Sequence, residues 1–428
     1  MVSSDRLARC RVARRSQLIF NPRGLTLIEV LVALVATLIL MGAVISVLGM
    51  VGTNVANSRS QIEVSNRLRS AQMQLRDDLA GATCPGMVWQ RPEAGNGYLE
   101  IIEGPIRDAV VGSGPNYSPK PPESLEGDTD DMILLTTKSK GQPFVGKIGK
   151  AVFQSNIAEV MWFLVPAQQF AGGVQTYNLH RRIFLVLPNT PSVSIPATPN
   201  ANDEVASRNN PAIPGNIPAT LGDLTDRQWR VRPIFNIIRN QAFPHNLRIV
   251  PGKDANFALS GLREGEDIVL SNVLGMDVKV FDPTAQIKSG QADGTPVGLN
   301  PGDAGYKQGG TVVGTGAYVD LGDTTTGSTQ FGLGMSLASK FTGSYATYDT
   351  WNFGYEQDGV DQYNDSIIDL GTDGLDNDNT NGVDDANERE TSPPYPYPLR
   401  GIQVKIRVYE PSSKSIREVT IEETFVPE

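Results

Sequence analysis

Arg23-Gly24-Leu25-Thr26-Leu27-Ile28-Glu29 decides the reading of this chain, because an arginine-bearing leader ends there and a charge-free run from Val30 to Ser58 begins. Within that run, Val30 to about Gly52 supplies 23 residues whose only polar side chains are Thr37 and Ser46. That is enough helix to cross a hydrocarbon layer of about 30 Å. Glu29 stands at its mouth, five residues past Gly24. An acid at the centre of a membrane helix costs roughly 2.5–3.5 kcal/mol, and less near the interface, where the positive end of the helix dipole offsets part of it. A carboxylate kept there needs a partner. The α-amine created by a cut after Gly24 is one.

The leader carries Arg6, Arg9, Arg11, Arg14, Arg15 and Arg23 against Asp5. Arginines on that side place the N-terminal end in the cytoplasm and the bulk of the chain across the membrane. An ordinary secretory signal has an apolar core of about 7–15 residues followed by a small-residue cleavage site. Here the glycine precedes the apolar run, which favours a different kind of processing.

Gly24-Leu25-Thr26-Leu27-Ile28-Glu29-Val30-Leu31-Val32-Ala33 is similar to the prepilin cleavage and methylation segment of type IV pilins and type II secretion pseudopilins. The one departure is Leu25, where that family most often carries Phe. The resemblance implies cleavage between Gly24 and Leu25 by prepilin peptidase and N-methylation of Leu25. It also implies that Glu29 pairs with the Leu25 amine of a neighbouring subunit during assembly. Implied partners are other pilins or pseudopilins through the N-terminal helix, the peptidase, the inner membrane and secreted cargo. Arg67-Leu68-Arg69 through Arg76-Asp77-Asp78-Leu79 and Ala82 resembles the end of the long helix in minor pilins and J-type minor pseudopilins. The expected role is a minor structural subunit of a type II secretion pseudopilus or type IV pilus, with its head in the periplasm and the whole extracted into a filament. The rival is a membrane-anchored, calcium-dependent extracellular binding or adhesion protein.

Polar helix formers follow the apolar run without a breaker, so one helix is expected from Leu25 to about Ala80. Leu68, Ala71 (or Gln72), Leu75 and Leu79 fall on one face at spacings of three and four, a stripe that packs under a globular head. Gly81 and Pro85 stop the helix. The expected organisation is a leader over 1–24, a long helix over 25–83 with its transmembrane part at about 30–52, and a head over 84–428.

The head reads as strands: Asp131–Thr137, Val160–Val165, Arg182–Leu187, Asp267–Leu270 and Met276–Phe281. A closing hairpin over 401–426 turns at Pro411–Lys414. The expected fold class is α+β, a long helix against a mainly antiparallel head with long loop insertions. Residues 188–230, rich in Pro, Asn and Ala, and 283–395, rich in Gly, Thr, Asp and Asn, are expected outside the core.

The whole chain carries a net charge of −10. With a leader at +5, the remainder stands near −15 and offers no dense basic patch, which disfavours nucleic-acid binding. Cys10 lies in the leader, so Cys84 has no intramolecular partner after processing and is expected as a small buried residue. His180 and His245 are far apart and read as structural. Enzyme motifs such as His-Glu-x-x-His, Gly-x-Ser-x-Gly and the P-loop are missing, so no catalytic role is expected.

The second candidate site is the acidic stretch Asp373-Gly374-Leu375-Asp376-Asn377-Asp378-Asn379-Thr380-Asn381-Gly382-Val383-Asp384-Asp385-Ala386-Asn387-Glu388. Hard divalent cations take several oxygens from closely spaced carboxylates and amides on a sharply turning loop. Asn377, Asn379, Asn381, Gly382, Asp385 and Glu388 fall in EF-hand register, but Asn replaces the expected first Asp. The frame one residue earlier offers Asp376 and Asp378 and misplaces the glycine. Asp373, Asp376, Asp378, Asn381, Asp384, Asp385 and Glu388 are the candidate calcium ligands. The competing reading is a solvated acidic loop that keeps filaments soluble and apart.

Overall fold

The computed structural model describes residues 26–84, 86–104, 109–110, 118–119, 127–171, 173–187, 195, 200, 202–209, 215–231, 258–292, 295–303, 305–306, 310–332, 346–350, 352, 356–357, 359, 361, 364–385, 387–390 and 395–425. Gly24, Leu25, Cys10 and His245 lie outside these residues. The chain divides into two compact units, Met1–Arg59 and Ser60–Glu428.

Helix α1 runs Leu27–Ala80. In the first unit its apolar side chains face outward along the whole described length; Leu38 and Leu48, for example, are exposed. A bare apolar surface of this kind is stable in lipid or against other helices, not in water. In the second unit the stripe read from the sequence is the buried face: Leu68, Ala71, Leu75 and Leu79, with Asp78 among them. Thr83 and Lys138 take over the hydrogen bonding where the helix ends, through Thr83 N–H to the Thr136 carbonyl and Lys138 N–H to the Gly81 carbonyl.

Among the described residues, the main sheet of the second unit has ten strands: β1 (Leu99–Glu103), β2 (Met132–Lys138), β3 (Ile157–Ala171), β4 (Val174–Leu185), β5 (Ile268–Ala292), β6 (Thr295–Leu299), β7 (Val312–Val319), β8 (Ala346–Asp349), β9 (Gly401–Glu410) and β10 (Ser415–Thr424). Their order is β8-β1-β2-β3-β4-β5-β9-β10, with β6 and β7 also pairing along β5, and every pairing is antiparallel. The long helix and antiparallel sheet make this an α+β fold.

Period-two alternation sends successive side chains to opposite faces of the sheet. Ile101, Ile133, Leu135, Val160 and Trp162 share one core with Leu68, Leu75 and Leu79 of α1. Ile102, Met132, Leu134, Met161 and Phe163 form a second core on the other face. Both faces being covered explains why β2 reads as a nearly continuous apolar run.

Three expectations are corrected. Asp267–Leu270 and Met276–Phe281 are not separate strands: β5 passes through both. Asn272 takes a left-handed conformation at φ 59°, which an asparagine tolerates, and the irregularity is absorbed as a bulge between Val273 and Gly275 instead of a turn. Residues 188–230, expected outside the core, bring Val205, Ala206, Ala219 and Leu224 into it. Arg227 and Arg230 anchor that segment: both bond Glu100, and Arg230 also bonds Asp349 at 2.7 Å. Residues 283–395, also expected outside, supply strands β6, β7 and β8 and the buried Phe331 and Tyr348.

Cys84 is free and buried, as the sequence suggested, and burial pushes its thiol up to about 11. His180 is buried with its ring stacked on Phe163 and Nδ1 3.1 Å from Asp267 Oδ2, a core position.

Candidate functional site

At the start of α1, Thr26 and Glu29 bond each other reciprocally. Glu29 Oε2 accepts from Thr26 N–H and from Thr26 Oγ1, each at 2.9 Å, and Glu29 N–H donates to Thr26 Oγ1 at 3.3 Å. This is a capping box, which satisfies donors that a helix otherwise leaves open at its first turn. The three-residue spacing of Thr26 and Glu29, Thr-x-x-Glu, is the local sequence signal for this box, independent of the charge of Glu29. Glu29 Oε1 accepts no hydrogen bond among the described residues. Gly24 and Leu25 lie outside the described residues.

Around the acidic loop, Glu388 is the organiser. It is buried; its Oε1 accepts the N–H groups of Asn377 and Asp378, and its Oε2 accepts that of Asp385 at 3.1 Å. Asp376, Asp378 and Glu388 each bring one carboxylate oxygen within 4.8 Å of the others. The set draws its first two members from one sequence frame and its last from the other. Asn379, Asn381 and Asp384 adopt left-handed conformations, and Gly382 lies at φ 100°, which turns the chain back on itself.

The remaining candidates do different work. Asp373 accepts from Leu375 N–H and the Asn377 amide, and Asp384 accepts from Gly374 N–H at 3.0 Å, so both tie the loop together. Asp385 accepts from Asn387 N–H through Oδ1, while its Oδ2 and Asp376 Oδ1 are shielded from solvent without a donor among the described residues. Asn381 contributes backbone shape. A neighbouring group the sequence reading did not single out, Asp361, Asp365 and Glu390, also gathers carboxylate oxygens within 4.8 Å.

A third feature anchors the helix end in the second unit. Asp78 accepts two bonds from Arg181, Nε to Oδ2 at 2.7 Å and Nη2 to Oδ1 at 2.6 Å, and a third from Trp162 Nε1 at 2.9 Å. A fork-on-carboxylate pair of this kind fixes orientation as well as distance.

Compared with known proteins, residues 19–45 match the family described as the Prokaryotic N-terminal methylation motif. No curated protein and no solved structure matches the chain.

Proposed function

We propose that this chain is a minor pilin-like subunit of the type IV pilin and pseudopilin kind, cut between Gly24 and Leu25, N-methylated on Leu25 and built into a filament through its N-terminal helix, a reading supported by the methylation motif matched at residues 19–45. The observation that carries this reading is a methylation segment running directly into a helix whose apolar surface is bare. In this reading the helix sits in the inner membrane with the head on the periplasmic side. Extraction then trades lipid for the helices of neighbouring subunits. Glu29 sets the register: its carboxylate, held by Thr26, takes the Leu25 ammonium of an adjacent copy. A type II secretion pseudopilus is favoured over a surface pilus by the resemblance of 67–82 and the strand pattern to J-type minor pseudopilins. The chain has no catalytic role in this account.

N-terminal sequencing of protein recovered from membranes tests the processing step. A methylated Leu at the first position is the expected result; a chain starting at Met1 defeats the proposal. Glu29→Leu separates assembly from anchoring: membrane insertion persists while incorporation with partner subunits is lost. Full function of an unassembled Glu29→Leu protein supports the rival, an anchored extracellular binding or adhesion protein.

Calcium at the acidic loop is compatible with either role. We propose Asp376, Asp378 and Glu388 as the calcium ligands, with Asp385 adding its shielded oxygen. Asp376→Asn/Asp378→Asn removes the site. Calcium at millimolar concentration then ceases to protect the loop from proteolysis; protection equal to wild type returns the loop to a solvated acidic surface.

A further inference from the structure

Glu103 ends β1, Asp128, Asp130 and Asp131 lie on the chain entering β2, Asp277 sits on β5 and Asp320 follows β7. All six carboxylates are between 0 and 6% exposed. Backbone bonds draw the segments together: Met276 N–H donates to the Asp128 carbonyl at 2.8 Å, Val278 N–H to Asp131 Oδ2 at 2.7 Å, and Gly104 N–H to Asp131 Oδ1 at 3.3 Å. That approach needs missing side chains. A Cβ on Gly104 would stand 2.0 Å from the Asp130 carboxyl carbon, and one on Gly275 would stand 2.6 Å from the Asp128 carbonyl oxygen.

Two lysines answer part of this charge. Lys279 bonds Asp277 at 3.0 Å and also Asp320, and Lys405 lies 3.6 Å from Asp277. No ion pair among the described residues reaches Glu103, Asp128 or Asp131. Both oxygens of Glu103 and Oδ2 of Asp128 lack any hydrogen-bond donor there, although Glu103 is fully buried. Leaving one ionised carboxylate buried and unpaired costs several kcal/mol, and like charges beside it add to that. Burial, followed by the neighbouring carboxylates, pushes Glu103, Asp128 and Asp131 well above the usual carboxylate range.

One oxygen from each of Glu103, Asp128 and Asp131 lies within 4.8 Å of the other two. Three oxygens within 4.8 Å of one another all lie within about 2.8 Å of a common centre, close to the 2.3–2.6 Å length of calcium–oxygen bonds. We propose that Glu103, Asp128 and Asp131 form a buried site for a hard divalent cation of calcium's size. It is separate from the acidic loop and ties the end of β1, the entry to β2 and the middle of β5 into one unit.

The test uses the full-length chain in detergent micelles, with calcium retained after dialysis counted by elemental analysis and melting followed with calcium or with EGTA. Asp128→Asn and Glu103→Gln, which keep the side-chain shape, are each expected to lose one calcium relative to wild type. In EGTA they melt at or above the wild-type temperature, because a buried charge is gone. The Asp376→Asn/Asp378→Asn chain, with the loop disabled, keeps the calcium, so failure of the loop reading and failure of this one are distinguishable. In that background, calcium at a hundredfold over its Kd raises the melting temperature by about 3–4 °C. Magnesium, smaller and reluctant to shed its water, is expected to give no such rise, and an equal rise overturns the assignment to an ion of calcium's size. The proposal is overturned if the amide variants hold as much calcium as wild type, or if calcium and EGTA give one melting temperature in the loop-disabled chain. The carboxyls are then kept neutral by protons.

Discussion

Asp78→Ala tests how the end of α1 is held to the sheet. The substitution removes an acceptor that takes two bonds from Arg181 and one from Trp162 Nε1. Asp78 is 3% exposed and the Arg181 side chain 14%, so the guanidinium left behind recovers only part of its hydration. Removing one partner of a buried ion pair costs roughly 3–5 kcal/mol. The partial exposure of Arg181 argues for the lower end of that range, while the stranded indole N–H restores about 1 kcal/mol or more of penalty. The expected loss is therefore about 4 kcal/mol. Urea unfolding in micelles, followed by tryptophan fluorescence, reads it as a lower midpoint at unchanged slope. Arg181→Leu in the same chain should recover a large part of the loss, because no unpaired cation then remains. The reasoning is refuted if Asp78→Ala costs under about 1 kcal/mol, or if the two substitutions simply add.

Leu75→Ala, at a position with no exposure at the centre of the buried stripe, is expected to destabilise by about 2–5 kcal/mol in the same assay; a neutral result would detach the stripe from the core. Thr26→Ala breaks the capping box and should cost the helix start about 1 kcal/mol, read as roughly fivefold faster hydrogen exchange at the Glu29 and Val30 amides. Glu159 is fully buried, accepts from Tyr98 Oη at 2.6 Å and Val231 N–H at 2.8 Å, and burial raises its carboxyl from 4.5 to about 7. The folded state thus holds this proton more tightly than the unfolded one, so its contribution to stability falls as pH rises from about 4.5 to about 7, by roughly 3 kcal/mol in all. Glu159→Gln should lose that component of the slope and gain relative to wild type at pH 8; parallel pH profiles for the two proteins would rule it out.

Local pattern made much of this protein legible. The helix from the apolar run to Ala80, its buried stripe and the closing hairpin follow from periods of 3.6 and 2, which need no knowledge of distant residues. The same holds for Glu29, whose spacing from Thr26 is a local signal. The described parts of 188–230 and 283–395 carry no such local signal. Their Pro, Asn, Gly and Asp content is that of surface loops, yet Arg227, Arg230 and Phe331 pin them into the body of the second unit through partners far away in sequence.

From the sequence alone come the membrane-length helix, the segment similar to prepilin methylation segments, and the acid at its first turn. Each rests on hydropathy and on spacings of a few residues. Only the tertiary structure decides that Asp78 meets Arg181 across 103 positions, and that Glu103 meets Asp128 and Asp131. It also decides that Asp376 and Asp378 close on Glu388. Charge pairing depends on distance in space, and strand order brings together carboxylates that no local period connects.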